Sequence, residues 1–360
     1  MKILIIANND VGLYRFRKEL IERLISEGHD IHISLPYGKL VDELVKRGCT
    51  YIPTELDRRG INPVTDLKLF FTYLRMLRSV KPDLVITYTI KPNIYGGIAA
   101  RLAKKPYAMN ITGLGTTFQK QGLLRKLVTT LYKCASKKAR VVFFENEGNK
   151  QVFLAENIIP QEQACVLNGA GVNLGDFPCS EYPESSPKTR FLFIGRVMRE
   201  KGVDELLAAT KTLLQEGFDC SLEIVGGYEE DYLATIRQCE SEGWLTYHGF
   251  QPDVKPFIES CHCAVLPSWH EGMANTNLES AAMGRPVITT NVYGCKEAVA
   301  EGKSGFLAEA KDFESLYNAM KRFVMLSREE RAAMGIAGRK HMESHFDKTI
   351  VVDKTLERLF

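Results

Sequence analysis

Up to about residue 145 the chain alternates two hydrophobic periods. Apolar runs at residues 2–7, 31–35, 51–54, 84–87, 107–111 and 141–144 have the length and β-branched content of strands. Between them apolar residues recur at helical spacing, as in Leu13, Phe16, Leu20, Leu24 and Ile25, and again over residues 66–81 and 123–140. The rhythm breaks at residues 177–188, where three prolines and three serines predict a linker. It resumes with strands at 190–194, 222–225, 245–248 and 263–266. After the last of these, Leu278, Ala281 and Ala282 mark a helix that Gly284 and Pro286 stop. Residues 350–360 read as a closing helix. Such alternation predicts an α/β architecture of parallel sheets with helices on both faces, binding ligands at the carboxyl ends of strands.

Composition narrows the class. A chain of 360 residues with 45% apolar and 25% charged content suits two soluble domains. No apolar run reaches the roughly 18 residues that span a bilayer. The first run is too short for a signal peptide. Nine cysteines scattered without zinc-type spacing predict a reduced, cytosolic protein. The seven histidines form no ligand cluster, and Asp-x-Asp, the usual diphosphate–metal signature, does not occur, so no metal site is expected.

Charge is unevenly spread. Residues 1–150 carry 26 Lys and Arg against 13 Asp and Glu, while the rest carry 21 against 31. A basic first half predicts an anionic partner there. Both long helices of that half interleave aromatic or aliphatic residues with cations, for example Phe70, Phe71 and Lys68, or Leu124, Leu127 and Lys126. An amphipathic helix packed on a sheet explains each alone; the excess charge favours an anionic membrane surface. No nucleic-acid module appears, so nucleic acid is not expected.

The chemistry gathers in the loops after strands. Gly12, ahead of the first helix, permits close approach of an anion; the full dinucleotide fingerprint is missing. Gly226 opens a second glycine loop after 222–225, and Phe250 follows the strand 245–248, where a core position is one reading. After 190–194 comes Gly195-Arg196-Val197-Met198-Arg199-Glu200-Lys201-Gly202, whose Arg196 and Lys201 place fixed cations in a loop after a strand, suited to an anion. After 263–266 come Glu271, in a loop, and Glu279, inside the next helix. The helix N-terminus between them, near Met273, Ala274 and Asn275, offers unpaired N–H groups and a positive dipole end.

Glu-x7-Glu within Pro-Ser-x-x-Glu-Gly, followed by Gly284-Arg285-Pro286-Val287-Ile288, resembles the donor motif of retaining family-4 glycosyltransferases of the GT-B fold. Gly-Arg-x4-Lys-Gly is similar to that family's diphosphate clamp, and Gly171-Val172-Asn173 to the element leaving its first domain, with Asn in place of Asp. The resemblance implies two Rossmann-like domains facing across a cleft, at residues 1–178 and 188–345, with 346–360 crossing back to the first. It implies transfer of a hexose or N-acetylhexosamine from a UDP-sugar, without metal or cofactor. Arg196 and Lys201 would hold the diphosphate, Glu279 the ribose and Glu271 the donor sugar, with Gly12, Gly195, Gly226, Phe250, Met273, Ala274 and Asn275 lining the donor. Arg15, Lys91, Thr112 and Gly113 fall to the acceptor, with Lys91 neutralising its phosphate. The first domain most resembles enzymes extending undecaprenyl-diphosphate sugars, which places the protein on the inner face of the cell membrane. Many relatives carry a histidine in the loop 88–93 and this chain has none, so no His-assisted step is expected.

Two other readings remain. A nucleotide-sugar epimerase or hydrolase on the same fold would release an epimer or free sugar without acceptor. A non-enzymatic nucleotide-sugar sensor would bind the donor without turnover.

Overall fold

A computed structural model describes residues 1–57, 60, 62–115, 118, 122–184 and 188–360. Thr116 of the loop after 107–111 and residues 185–187 of the expected linker lie outside the described residues. The chain divides into two compact units, Met1–Ala170 with Val351–Phe360, and Gly171–Ile350.

The first unit contains β1 (Lys2–Ile6), α1 (Asp10–Ser26), β2 (Asp30–Leu35), α2 (Lys39–Lys46), β3 (Thr50–Pro53), α3 (Pro63–Val80), β4 (Leu84–Tyr88), α4 (Gly97–Leu102), β5 (Tyr107–Ile111), α5 (Leu123–Ser136), β6 (Val141–Phe144), α6 (Glu147–Ala155) and β7 (Ala164–Val166). Its strands form one parallel sheet in the order β3-β2-β1-β4-β5-β6-β7. Successive residues of β1 point to opposite faces. Ile3 and Ile5 pack against Leu13, Leu20 and Leu24 of α1, while Leu4 and Ile6 pack with Leu69, Tyr73 and Leu77 of α3. Both faces are covered, so the strands read as largely apolar runs. α3 starts three residues ahead of the expected helix because Asn62 caps it, accepting the Val64 N–H at 3.0 Å, and Pro63 takes the first helical position. α5 stops four residues short of the expected end, at Ser136, whose hydroxyl donates to Tyr132 O at 2.8 Å.

The second unit holds β8 (Thr189–Ile194), α7 (Val203–Gln215), β9 (Cys220–Val225), α8 (Leu233–Ser241), β10 (Leu245–Tyr247), α9 (Lys255–Ser260), β11 (Cys263–Leu266), α10 (Asn275–Ala282), β12 (Val287–Thr290), β13 (Gly305–Ala308), α11 (Phe313–Val324) and α12 (Arg328–His345). Its sheet is also parallel, ordered β10-β9-β8-β11-β12-β13. A last helix, α13 (Lys348–Leu359), carries Val351, Val352, Leu356 and Leu359 in the core of the first unit.

The unit boundary falls at Ala170, ahead of the stretch expected as a linker. Three arginines explain the difference. Arg285, Arg328 and Arg339 donate to the carbonyls of Phe177, Ser180, Glu181, Tyr182 and Pro183, which ties this proline-rich strap to the second unit.

Candidate active site

In each sheet the strand order reverses beside the first strand of the unit, between β1 and β4 and between β8 and β11. Loops leaving such neighbouring strands in opposite directions open a crevice at their carboxyl ends. In the second unit those loops are 195–202 and 267–274, the two that carry the candidate cations and the first carboxylate.

The two loops are bonded into one body. Trp269 N–H donates to Glu200 O at 2.9 Å, and the Ser268 hydroxyl donates to the same carbonyl at 3.3 Å. His270 Nε2 lies 3.1 Å from Glu200 Oε2, and Trp269 Nε1 donates to Glu205 at 3.1 Å. The indole also has Arg199 and Lys311 over its ring, 5.6 and 4.6 Å from the centroid. Gly202, at φ +72°, permits this approach, because a Cβ there would sit 2.1 Å from Pro267 O. Lys201 and Glu271 complete the union: Lys201 Nζ donates to Glu271 Oε1, with the side chains only 15% and 14% exposed. Seventy residues apart in sequence, cation and carboxylate form one ion pair.

Behind Glu271 the loop is braced from the 294 turn. Ala274 N–H donates to Gly294 O at 2.7 Å, and Gly294 N–H donates to Glu297 Oε2 at 2.8 Å. Burial pushes the Glu297 carboxyl up from its ordinary pKa, against the lowering effect of that hydrogen bond. α10 begins without a side-chain cap, since its N-cap residue is Ala274. The Asn277 N–H donates to Ala274 O at 2.9 Å, so what this end offers an anion is chiefly the positive end of the helix dipole. Asn275 Oδ1, at the first helical position, is buried without a hydrogen-bond partner among the described residues.

The other expected donor residues sit on the same sheet edge. Gly195 N–H donates to Val225 O at 2.9 Å. Gly226, at φ +147°, faces it so closely that a Cβ would fall 1.8 Å from Gly195 O. Arg196 projects outward, 56% exposed, with one guanidinium nitrogen 3.5 Å from Glu229. It is therefore paired apart from Lys201 and Glu271. Met273 and Ala274 are buried, and the Ala274 and Asn275 N–H groups expected to be unpaired are taken by Gly294 O and Met273 O at 2.7 and 3.0 Å. Glu279 lies half-buried in the second turn of α10. Phe250 is 71% exposed, which removes the core alternative for it. The Tyr228 and Tyr247 rings pack tilted by 31°, with centroids 4.6 Å apart, and Tyr247 Oη donates to Gly226 O at 2.8 Å.

In the first unit Gly12 lies inside the first turn of α1, and its N–H is taken by the capping Asn9 Oδ1 at 2.6 Å. That amide is thus not open to an anion, unlike the expectation for a loop glycine. Arg15 is exposed on the same helix, and Thr112 and Gly113 follow β5 half-buried. Lys91 donates to Asp66 Oδ1 at 2.7 Å, and Tyr95 Oη donates to Asp66 Oδ2 at 2.9 Å. A phosphate at Lys91 must share or displace that carboxylate. A buried pair, Arg17 with Glu145 at 2.5 Å, lies at the same edge, with Arg17 5.1 Å from the Tyr88 ring centroid.

Asp66, Glu145, Glu200, Trp269 and Glu297 were not singled out from the sequence. Glu200 and Trp269 stand at unspecified positions inside motifs that were. Asp66 and Glu145 had no local signal, because their partners Lys91 and Arg17 are 25 and 128 residues away, and Glu297, though only three residues from Gly294, gave no sign of its burial.

Residues 2–146 match the family described as glycosyl transferase 4-like, and residues 188–325 match glycosyl transferases group 1. The chain is 27% identical to the N,N'-diacetylbacillosaminyl-diphospho-undecaprenol alpha-1,3-N-acetylgalactosaminyltransferase of Campylobacter jejuni, over 99% of this chain and 98% of that one. It is 27% identical to the UDP-Gal:alpha-D-GlcNAc-diphosphoundecaprenol alpha-1,3-galactosyltransferase of Escherichia coli, covering 86% and 84%. Among solved structures, Anabaena HepE in complex with UDP and glucose superposes with a TM-score of 0.80 at 17% identity, over 100% of this chain and 99% of that one.

Proposed function

The chain is a glycosyltransferase of the GT-B fold, built from a glycosyl transferase 4-like half and a group 1 half, and from that premise we propose that it moves a sugar from a UDP-sugar to a lipid-diphosphate-linked saccharide with retention of configuration. The observation that carries this reading is the Lys201–Glu271 pair at the β8/β11 reversal, beside the uncapped start of α10. The two relatives named above have lipid-diphosphate sugars as substrates, which supports the acceptor class.

In this reading the acceptor hydroxyl oxygen bonds to the anomeric carbon on the face that UDP leaves. The bond from that carbon to the β-phosphate oxygen breaks, and its electron pair stays on UDP. The hydroxyl proton passes to a departing phosphate oxygen. Charge therefore grows on the diphosphate in the transition state. Lys201, Arg196 and the positive end of the α10 dipole stabilise it there more than in the ground state. Glu271, released from Lys201 as the phosphate arrives, faces the donor sugar hydroxyls, and Glu279 accepts from the ribose.

The test is a mass-spectrometric screen of UDP-sugars against short-chain lipid-diphosphate saccharides. One hexose or N-acetylhexosamine should be added per UDP released, at the same rate in EDTA. Release of free or epimerised sugar with no acceptor adduct rejects the reading, as does donor binding without any turnover.

The acceptor's lipid also predicts where the protein works. Val64, Leu67 and Phe71 on α3, and Leu123, Leu124 and Leu127 on α5, are exposed, Leu123 at 86%. All six lie in the first half of helices that leave the carboxyl edge of the first sheet. Lys68, Arg75, Arg78, Lys126 and Lys133 lie on the same two helices. Among the described residues no helix is long and apolar enough to cross a membrane. We place the chain as a peripheral protein on the anionic inner face of the cell membrane, with this apolar, basic surface against the lipid. The triple change Phe71→Glu, Leu124→Glu and Leu127→Glu should lower partitioning onto phosphatidylglycerol vesicles at least tenfold, each lost side chain contributing about 1.5–3 kcal/mol. Turnover on a water-soluble acceptor should stay unchanged. Undiminished partitioning would remove this surface from the account.

A further inference from the structure

Thr89 joins β4 to the helical turn that follows it, and it does so at φ +73°. A β-branched residue in the left-handed region is an outlier, where glycine would sit without strain. The other non-glycine residues at positive φ among those described are Lys81, Lys104, Asn157 and Lys311. The first three end or follow helices, the usual place for that conformation, and none of the four is β-branched. Thr89 carries a second liability: its Oγ1 is buried with no hydrogen-bond partner among the described residues. An unsatisfied buried hydroxyl destabilises a fold unless something later satisfies it.

The surroundings hold this elbow firmly. Thr89 O accepts the Asn93 N–H at 2.9 Å. Asn93 is fully buried; it accepts from the Thr87 hydroxyl at 2.6 Å and donates to Asn110 O at 2.8 Å. Two residues on, Lys91 is anchored by Asp66. The residue thus sits at the carboxyl end of β4, at the order reversal of the first sheet, with fixed neighbours on both sides. Strain kept at such a place points to a task for the side chain.

We infer that the Thr89 hydroxyl is a specificity-determining contact to the acceptor saccharide, satisfied only when the acceptor binds. The inference rests on the functional reading above. Thr89 stands at the carboxyl end of β4 beside the order reversal, and Gly115 of the loop after β5 lies against the neighbouring Ile90; in the inferred complex that loop gives way and a sugar hydroxyl or amide reaches the Thr89 hydroxyl. Thr89 itself takes no part in bond making; it orients the sugar whose hydroxyl attacks.

Three variants of the full chain test this. Thr89→Val keeps shape and strain and deletes the hydroxyl, Thr89→Ser keeps the hydroxyl, and Thr89→Gly removes the strain. Thr89→Val should unfold at the wild-type temperature or above it, and should hydrolyse UDP-sugar without acceptor at the wild-type rate. Its kcat/KM for the lipid-diphosphate acceptor should fall at least tenfold, with the donor KM unchanged. Thr89→Ser should stay within threefold of wild type. Thr89→Gly should gain thermal stability and lose acceptor kcat/KM. An acceptor kcat/KM within twofold of wild type in Thr89→Val overturns the inference, as does an equal loss of acceptor-free hydrolysis. A wild-type protein inert toward every lipid-diphosphate acceptor, yet still cleaving donor, overturns the functional reading and this inference with it; active wild type with active Thr89→Val overturns the inference alone.

Discussion

Lys201→Ala is expected to lower sugar transfer at least about a thousandfold, close to 4 kcal/mol of transition-state stabilisation, while the protein stays folded. The ammonium is held at the end of a short helical turn, Arg199–Lys201, whose next residue, Gly202, packs under Pro267. It is therefore aimed before any ligand arrives and needs little reorganisation as charge develops. Glu271→Ala should be as damaging for a different reason. It removes the group that faces the donor sugar and leaves Lys201 without the carboxylate that positions it. Glu271→Gln separates the two effects, since it keeps a hydrogen-bond acceptor for Lys201 and loses the charge. Single-turnover transfer and the unfolding temperature should be measured together for all three variants. Each loses a partner from a pair that is only partly exposed, so some destabilisation is expected alongside the kinetic loss. Near-normal transfer by Lys201→Ala or Glu271→Ala would reject the assigned roles.

The largest effect on stability is expected at Arg285. Its side chain is fully buried, yet its hydrogen bonds run to carbonyls and a hydroxyl: Nε to Ile258 O at 3.0 Å, one terminal nitrogen to Met283 O and Ser180 O at 3.0 and 3.2 Å, and the other to Ser180 Oγ, Glu181 O and Glu259 O at 2.8, 2.9 and 2.8 Å. Burial lowers its pKa from the ordinary arginine value. These bonds draw the 180–181 strap onto the end of α9 and the turn after α10. Arg285→Ala leaves several buried carbonyls unsatisfied and opens a cavity, so a loss of about 3–5 kcal/mol is expected. For a unit of this size that is a fall in Tm on the order of 10 °C. Arg285→Lys should recover little, because an ammonium cannot fork to carbonyls on both sides. Thermal unfolding in the presence and absence of UDP measures it; a Tm within 2 °C of wild type in Arg285→Ala, roughly half a kcal/mol, would show that the carbonyl cluster is satisfied otherwise.

How far the sequence could be read depended on the range of the cause. β1, β2, β4, β5, β6, β8, β9 and β11 announce themselves as mostly apolar runs because both faces of the sheets are covered, with polar exceptions such as Ser34 in β2 and Glu223 in β9. β7, β12 and β13 were not marked out in this way. β7 has three residues and lies at a sheet edge, as does β13, and half of β12 is threonine. The strap at 177–183 looked like a linker because its prolines and serines are a local property, whereas the arginines that pin it lie about a hundred residues or more downstream.

By itself the sequence determined the α/β class and the two-unit plan, and it singled out Arg196, Lys201, Glu271 and Glu279 as candidates, each from a motif of neighbouring residues. Only the tertiary structure decided that Lys201 meets Glu271, that Lys91 is already engaged by Asp66, that the Gly12 amide belongs to a helix cap, and that Thr89 stands strained at the β4 elbow. Those facts follow from strand order and register, which bring loops tens of residues apart onto one sheet edge; no local period encodes that meeting.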